Sequence, residues 1–311
     1  MQELVVMAGL PASGKSTLAN EYREGGYAVV SSDEMRAELF GDVNVQENNV
    51  ELFEKMFKRV RLSLSEGKSI VLDATNVVSK RRINTLKAIL TNTKKDPIRL
   101  DRNNIRVKAD LILCPYNECI DRNKSRERKV PSHVIEKMYK QWQTPMLQEG
   151  FDEIVMTYTS ETNFETIKEI DFLKQFPQFN PNHSLSIGHH CQKVGLSLRE
   201  AENANLQRVG YLHDIGKLFC MGFKDANGRK SEIGHFYGHE SVSAYDSFFF
   251  DRERYSNVKD SDRLEISQLI TWHMLPHRLD TEKSINKYKD FFGEKFWNDL
   301  MLLAEADNNG R

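Results

Sequence analysis

Residues 9–17 read GLPASGKST. Gly9, Gly14, Lys15 and Ser16 occupy every fixed position of the phosphate-loop pattern G-x-x-x-x-G-K-[ST]. Before it stands LVVMA (4–8), an apolar run of strand length; after it comes TLANEYREGG (17–26), with helical spacing and a Gly-Gly stop. A strand, a glycine-bearing loop and the start of a helix form the context this motif requires. Glycines let successive backbone N–H groups turn inward around phosphate oxygens. The helix N-terminus adds partial positive charge. Lys15 is placed for the β- and γ-phosphates of a nucleotide, and the Ser16 hydroxyl for Mg²⁺. Gly9, Ser13, Gly14, Lys15, Ser16 and Thr17 are therefore the candidate nucleotide-binding residues. ATP, or another NTP, with Mg²⁺ is the implied cofactor.

Outward from the loop, the first half alternates strand and helix. Strands are expected at 3–8, 27–31, 69–73, 105–113 and 153–158. Helices are expected near 16–24, 47–66, 79–92 and 118–148, the last broken by a lid. Alternation of this kind predicts an α/β domain, a parallel sheet with helices on both faces, that binds ligands at the carboxyl ends of its strands. From about residue 160 the pattern changes. SETNFETIKEIDFLKQF reads as a capped connecting helix and PQFNPNH as a short linker; beyond them the periodicity is helical, apart from a small hairpin in 219–236 around Asn227-Gly228. The reading is a first domain over 1–165 and an all-α second domain over 176–311.

Three segments carry candidate chemistry in the first half. Ser32-Asp33-x-x-Arg36 follows the second strand. There Asp33 can accept a hydroxyl proton as that oxygen attacks a γ-phosphate, and Arg36, one turn on, can hold an acceptor phosphate. The bland alternative is a helix N-cap at Ser32 or Asp33. IVLDATN (70–76) ends the third strand. Asp73 there can bind a metal-bound water, position the acceptor or orient Arg36, while Thr75 and Asn76 suit a turn. Lys80, Arg81 and Arg82 open the next helix against its dipole, which suggests an anion nearby. CPYNECIDRNKSRERKVP (114–131) reads as the lid, with Asn117 as N-cap and Pro131 at its end. Arg122 and Arg126, four apart, would share a helix face and offset charge on a transferred phosphoryl group.

The second half centres on LHDIGK (212–217). Adjacent His213 and Asp214 cannot face one way inside a regular helix, but at a helix end both can turn onto one ion. His190 precedes them in IGHHCQKVG; His239, His273 and Asp307 follow in HFYGHES, ITWHM and LLAEADN. Imidazole with carboxylate suits Mn²⁺, Fe²⁺, Co²⁺, Ni²⁺ or Zn²⁺, and one or two such ions would make a hydrolytic centre for phosphate esters. Lys217 can add charge stabilisation. His189 competes with His190 as the first ligand, and His183, His235 and His277 read as core or surface residues. Only four residues follow Asp307, little helix to anchor it.

Bulk properties agree with this division. A chain of 311 residues accommodates two cores. The four cysteines show neither metal nor disulfide spacing, and no run approaches membrane-spanning length. The N-terminus enters a strand rather than a leader, so a cytoplasmic, membrane-free setting is expected. Net charge is −1, yet residues 80–129 hold 15 Lys/Arg against 6 Asp/Glu, while 161–311 total −4. The basic stretch suits a polyanion or a solvated face. Eight of the nine histidines lie between His183 and His277.

Over roughly residues 4–148 the chain resembles the 5′-kinase domain of phage and bacterial polynucleotide kinases, through GLPASGKST, SSDEMR, LDATNVVSKRR, RNKSR and KVPSHVIEKMYKQW. The resemblance implies Asp33 as general base on a 5′-hydroxyl and Arg36 on the acceptor phosphate, with Asp73 supporting that site. It also implies Lys15, Arg122 and Arg126 on the donor phosphates. The phage enzyme's D-x-D-x-T phosphatase motif is absent. Over about 180–311 the pattern H…HD…H…H…D instead resembles the HD phosphohydrolase superfamily, nearest to the HD domain of bacterial tRNA nucleotidyltransferases. That implies His190, His213, Asp214 and Asp307 around one metal, with Asp214 bridging to a second on His239 and His273. Together the two resemblances imply healing of 5′-OH RNA or DNA ends, and removal of a 2′,3′-cyclic, 2′- or 3′-phosphate, upstream of an RNA ligase. The rivals are a nucleoside or metabolite kinase fused to a nucleotide phosphohydrolase, and a nucleotide-switched binding module.

Overall fold

The computed structural model describes residues 1–43, 48–252 and 259–311. These divide into two compact units, Met1–Ile135 with Pro145–Ser160, and Glu136–Thr144 with Glu161–Arg311.

The first unit runs β1 (Gln2–Ala8), α1 (Lys15–Glu24), β2 (Ala28–Ser31), α2 (Ser32–Phe40), α3 (Asn49–Ser65), β3 (Ile70–Asp73), α4 (Ser79–Leu90), β4 (Ile105–Leu113) and α5 (Tyr116–Ser125), and closes with β5 (Glu153–Tyr158). Its five strands are all parallel, in the order β2-β3-β1-β4-β5. The α/β class and the five strands are as the sequence predicts. Strand β1 is apolar throughout from Leu4 to Ala8 and fully buried, as a central strand covered on both faces must be. On one face Ala19 and Leu18 of α1 pack on Val5, Met7, Val71 and Ile112. The register pairs Ser31 with Asp73 and Leu4 with Ile70, so the carboxyl ends of β1, β2 and β3 open on one edge of the sheet.

Local differences have physical causes. α2 has no counterpart in the sequence reading because only Met35 and Arg36 of its nine residues are buried, too few for a helical period to show. Its N-cap is Ser31, whose Oγ accepts from Asp33 N at 3.3 Å, rather than Ser32 or Asp33. The helix expected over 47–66 is α3; position 47 lies outside the described residues. The expected 118–148 helix is α5 and α6 (Ser132–Tyr139) with a loop between. Pro115, not Asn117, is the cap of α5.

The second unit is helical: α7 (Thr166–Leu173), α8 (Ile187–Ser197), α9 (Asn205–Leu212), α10 (Lys217–Cys220), α11 (His239–Asp246), α12 (Asp260–Trp272), α13 (Glu282–Phe292) and α14 (Glu294–Asn309). The hairpin of β6 (Gly222–Lys224) and β7 (Lys230–His235) falls where the sequence places it. Helices α8 and α9 meet at two glycines. A Cβ on Gly210 would lie 2.8 Å from Gly195 Cα, so only the bare backbone permits the approach that carries His190 toward His213. Glu136–Thr144 is part of this unit's core. Tyr139 donates from its hydroxyl to Asp246 Oδ1 at 2.5 Å, Trp142 meets the Tyr245 ring edge-on at 4.9 Å, and Thr144 Oγ1 lies 2.7 Å from Ser267 Oγ. Among the described residues no helix is long and apolar enough to cross a membrane.

Candidate functional site

The loop between β1 and α1 is held from three sides. Gly9 N donates to Thr75 O at 3.1 Å, Asn76 Nδ2 to Met7 O at 2.8 Å, and Thr159 Oγ1 to Ser13 O at 2.7 Å. Gly14 is left-handed at φ 105°, and a Cβ there would crowd Thr159 Cγ2 at 3.1 Å. Lys15 is buried and folds back, its Nζ donating to Gly9 O at 2.9 Å and Leu10 O at 2.7 Å. Burial pulls its ammonium pKa down, while Asp73 is foremost among the charges that oppose the shift, with Asp33 also among them. Both acids therefore act on the lysine's surroundings. Ser16 and Thr17 are exposed in the first turn of α1. Ser13 Oγ is buried with no hydrogen-bond partner.

Asp33 sits in the first turn of α2, its side chain 50 % exposed and ion-paired with Arg128. Arg36 is buried one turn on and donates from Nη2 to Asn49 Oδ1 at 2.6 Å. Burial lowers the pKa of Arg36 and raises that of Asp73, the latter against the pull of Lys15. Arg82 is not an anion site. Its guanidinium is fully buried and forks onto Glu149, Nε to Oε2 at 2.6 Å and Nη2 to Oε1 at 2.7 Å.

Arg122 and Arg126 do not share a helix face. Helix α5 ends at Ser125, and Arg126 is its extended C-cap, exposed. The cause is Asn123, buried, which accepts from Val130 N at 2.9 Å and donates to Val130 O at 2.8 Å. That clamp folds 126–130 into a loop carrying Arg126 and Arg128. Arg122 remains on α5, donating from Nη1 to Thr159 Oγ1 at 3.1 Å and pairing with Glu118 at 3.3 Å. Arg128 and Thr159 escape the sequence reading because each works through a partner distant in the chain, and Asn123 because its side chain bonds the backbone of a loop that no periodicity marks.

In the second unit, six side chains converge. His190, His213, Asp214 and Asp307 form one group, and Asp214, His239 and His273 another, with the ligand atoms of each group within 4.8 Å of one another and every residue buried. His213 is the C-cap of α9, so the chain turns there and Asp214 points to the same place. Asp214 divides its oxygens. Oδ2 lies 3.1 Å from His190 Nε2 and 3.3 Å from His213 Nε2; Oδ1 lies 3.1 Å from His239 Nε2 and 3.6 Å from His273 Nε2. Asp307 Oδ1 is 3.1 Å from His190 Nε2. Lys217 Nζ meets Asp214 Oδ2 at 2.6 Å and donates to Gln178 Oε1 at 2.8 Å.

The imidazoles are set for cations. Nδ1 of His190, His213, His239 and His273 faces the carbonyls of Gly310, Gly210, Phe236 and Ile270 at 3.2, 2.8, 2.8 and 2.8 Å. A carbonyl only accepts, so each Nδ1 carries the hydrogen and each neutral ring turns an Nε2 lone pair inward. Those lone pairs approach in couples, His190 to His213 at 3.1 Å and His239 to His273 at 3.3 Å. Asp214 Oδ1 is buried and makes no hydrogen bond. Facing lone pairs beside an unbonded carboxylate oxygen repel unless a cation or proton lies among them, so the donor set fits divalent metals. Without metal a proton supplies that charge between His190 and His213. Burial opposes it, but Asp214 and Asp307 overcome the opposition and push His213 up to about 10. His189 is exposed on Ser186 Oγ, at 2.8 Å, outside the group. His277, read as a core or surface residue, meets Asp307 Oδ2 at 3.1 Å.

Comparison with known proteins defines the class. Residues 4–145 match the family described as an AAA domain, and residues 182–307 match the HD domain. The chain thus pairs a segment similar to the AAA domain with a segment similar to the HD domain. Among relatives, it is 23 % identical over 230 residues to the L-seryl-tRNA(Sec) kinase of Methanococcus maripaludis, spanning 69 % of this chain and 82 % of that one. It is 25 % identical over 171 residues to the bifunctional polynucleotide phosphatase/kinase of Schizosaccharomyces pombe, spanning 55 % of this chain but only 36 % of the relative. Among solved structures it is similar to a chain of the Pnkp1/Rnl/Hen1 RNA repair complex, with a TM-score of 0.38 and 20 % identity, over 45 % of this chain and 43 % of that one.

Proposed function

We propose that this protein heals nucleic-acid ends, RNA ends foremost, with a 5′-hydroxyl kinase in the first unit and a metal-dependent phosphatase in the second. The first would transfer the γ-phosphate of ATP, or another NTP, to a 5′-OH. The second would remove a 2′,3′-cyclic, 2′- or 3′-phosphate and leave an end fit for an RNA ligase. The observation that carries the reading is Asp214, which shares its two oxygens between two His/Asp groups, in a chain that also holds a phosphate loop. The likeness, over 36 % of its length, to a bifunctional polynucleotide phosphatase/kinase supports the end-healing reading.

In the kinase, Lys15 turns from the loop carbonyls to the β- and γ-phosphate oxygens, and Ser16 contributes to holding Mg²⁺ with the nucleotide. The acceptor oxygen attacks the γ-phosphorus, the bond to the β-phosphate oxygen breaks, and the hydroxyl proton passes to an Asp33 carboxylate oxygen. Arg128 must release Asp33 for this. Arg36 holds an acceptor phosphate and Asp73 supports that side. Arg122 and Arg126 offset charge on the transferred group. In the second unit His190, His213, Asp214 and Asp307 would hold one divalent metal of the Mn, Fe, Co, Ni or Zn kind, and Asp214, His239 and His273 a second. Such metals, when bound, supply Lewis acidity and an activated water. Lys217 holds Asp214 in place and adds positive charge beside the scissile phosphate.

The deciding assay offers a 5′-OH RNA with a 2′,3′-cyclic phosphate end, ATP and a divalent metal, beside a matched DNA and free nucleosides. A 5′-phosphate and a dephosphorylated 3′-end are expected. Failure at both ends refutes the proposal, and turnover confined to free nucleosides replaces it with the small-molecule reading.

A further inference from the structure

We propose that Tyr237, stacked on His235, is the platform on which the substrate's terminal nucleobase lies as its phosphate is presented to the His/Asp centre. This rests on the phosphatase reading above and extends it to the part of the substrate that does not react.

Tyr237 is 54 % exposed, so its ring is not there to fill a core. It is nevertheless held firmly. The Tyr237 and His235 rings lie 7° from parallel with centroids 5.4 Å apart. The phenol oxygen is 3.3 Å from His235 Nδ1, and His235 Nε2 is 3.0 Å from Ser231 Oγ. An aromatic face fixed from behind and open in front costs little entropy to use as a stacking surface.

The location points to a phosphorylated ligand. Tyr237 and His235 line the same cavity of about 270 Å³ as Asp214, His239 and Asp307. Only Gly238 separates Tyr237 from His239, at a left-handed φ of 83°, and a Cβ there would meet Lys140 O at 2.7 Å. Backbone geometry thus locks the spacing between platform and centre. Lys217, Arg278 and Arg311 bring cationic groups to the same cavity, each beside an acid that also lines it: Asp214 at 2.6 Å, Glu240 at 2.8 Å and Asp307 at 3.5 Å. One wall offers a π-face and the others cations and the His/Asp centre, a combination that suits a base joined to a phosphate better than a bare sugar phosphate. The hairpin leading into Tyr237 exposes Lys224, Arg229 and Lys230, basic side chains for the phosphates of a single strand beyond its last nucleotide. Stacking accepts any base, so the platform favours a 3′-terminal nucleotide without reading sequence.

The test uses the full chain and a short RNA whose last nucleotide is 2-aminopurine bearing a slowly cleaved 3′-phosphorothioate. A matched RNA with an abasic last nucleotide is the control. Wild type and Tyr237→Phe are expected to quench the aminopurine and to bind the base-bearing end about tenfold more tightly than the abasic end. Tyr237→Ala should lose both the quenching and the preference, and removal of phosphate from the abasic end should be equal in all three proteins. Equal binding of both ends by wild type, or quenching unchanged in Tyr237→Ala, overturns the platform. Phosphate removal that ignores the base sinks the platform alone. Base-dependent binding with no 3′-phosphate ever removed supports the platform and sinks the phosphatase reading instead.

Discussion

Glu149→Gln should loosen the phosphate loop from a distance. Arg82 and Glu149 have fully buried side chains joined by two parallel hydrogen bonds of 2.6 and 2.7 Å. Arg82 Nη1 also donates to Asn76 O at 2.8 Å. Asn76 in turn ties Met7 O, and its neighbour Thr75 accepts from Gly9 N at 3.1 Å. Removing the carboxylate charge leaves a buried guanidinium without its counter-ion, a change that costs about 3–5 kcal/mol. Replacing both partners by apolar residues, Arg82→Met with Glu149→Leu, removes charge and counter-charge together and should restore most of that loss. All three tryptophans (Trp142, Trp272 and Trp297) belong to the second unit, so tryptophan fluorescence is blind to the first. Hydrogen exchange on β1, β3 and α4 is the proper assay, with fluorescence as the internal control for an intact second unit. Opening of those elements should become easier by about 3–5 kcal/mol in Glu149→Gln, and KM for ATP should rise. A change below about 1 kcal/mol, the scale of an exposed pair, would refute the reasoning.

Three further outcomes are expected. Asp246 is driven up to about 7 by burial, against its hydrogen bond from Tyr139, with Glu169 adding to the rise. Its folded pKa stands above the unfolded carboxylate value of about 4, so the native state keeps the proton longer; its contribution favours folding at low pH and fades as pH climbs from about 4 through 7. Asp246→Asn should therefore flatten the stability profile across that window and raise the melting temperature of the second unit above pH 7, read by tryptophan fluorescence. Asn123→Ala frees the loop holding Arg126 and Arg128 and should lower kinase kcat/KM roughly ten- to a hundredfold through misplacement, with little change in melting. Asp214→Asn should reduce metal uptake by both groups, whereas His273→Ala should spare the group on His190 and His213; elemental analysis of the purified variants tells the two patterns apart, and kinase activity should stay level.

What the residues disclosed in advance follows the range over which each effect acts. The five strands and the phosphate loop were legible because their cause is local: an unbroken apolar run such as 4–8 belongs in a doubly covered sheet. The His/Asp pattern was legible as chemistry, since few structural roles call for imidazoles and carboxylates in that series. The reading misses where meaning depends on a remote partner. Arg82 looked like an anion site because Glu149 lies 67 positions on. Arg126 reads as helical because periodicity does not register that the Asn123 side chain, seven residues before Val130, closes a loop onto it. His277 reads as one histidine among many, and only folding brings it to Asp307. Helix α2 is silent in the sequence because a buried Arg36 does not register as a core residue in a hydrophobic period.

The membership of Glu136–Thr144 in the second unit bears on how this polypeptide can be taken apart. A fragment begun at Glu161 would lack the Trp142 indole that abuts Tyr245, the phenol that supplies Asp246 with a donor, and the threonine hydroxyl bonded to Ser267. It would present a slot of bare hydrophobic and polar surface where a nine-residue plug belongs, and should clump or demand that the missing peptide be added back in trans. A cut at the visible seam in composition thus severs a helical module from its own filling. Splicing 136–144 ahead of 161 through a short flexible joint is the dissection that respects the core.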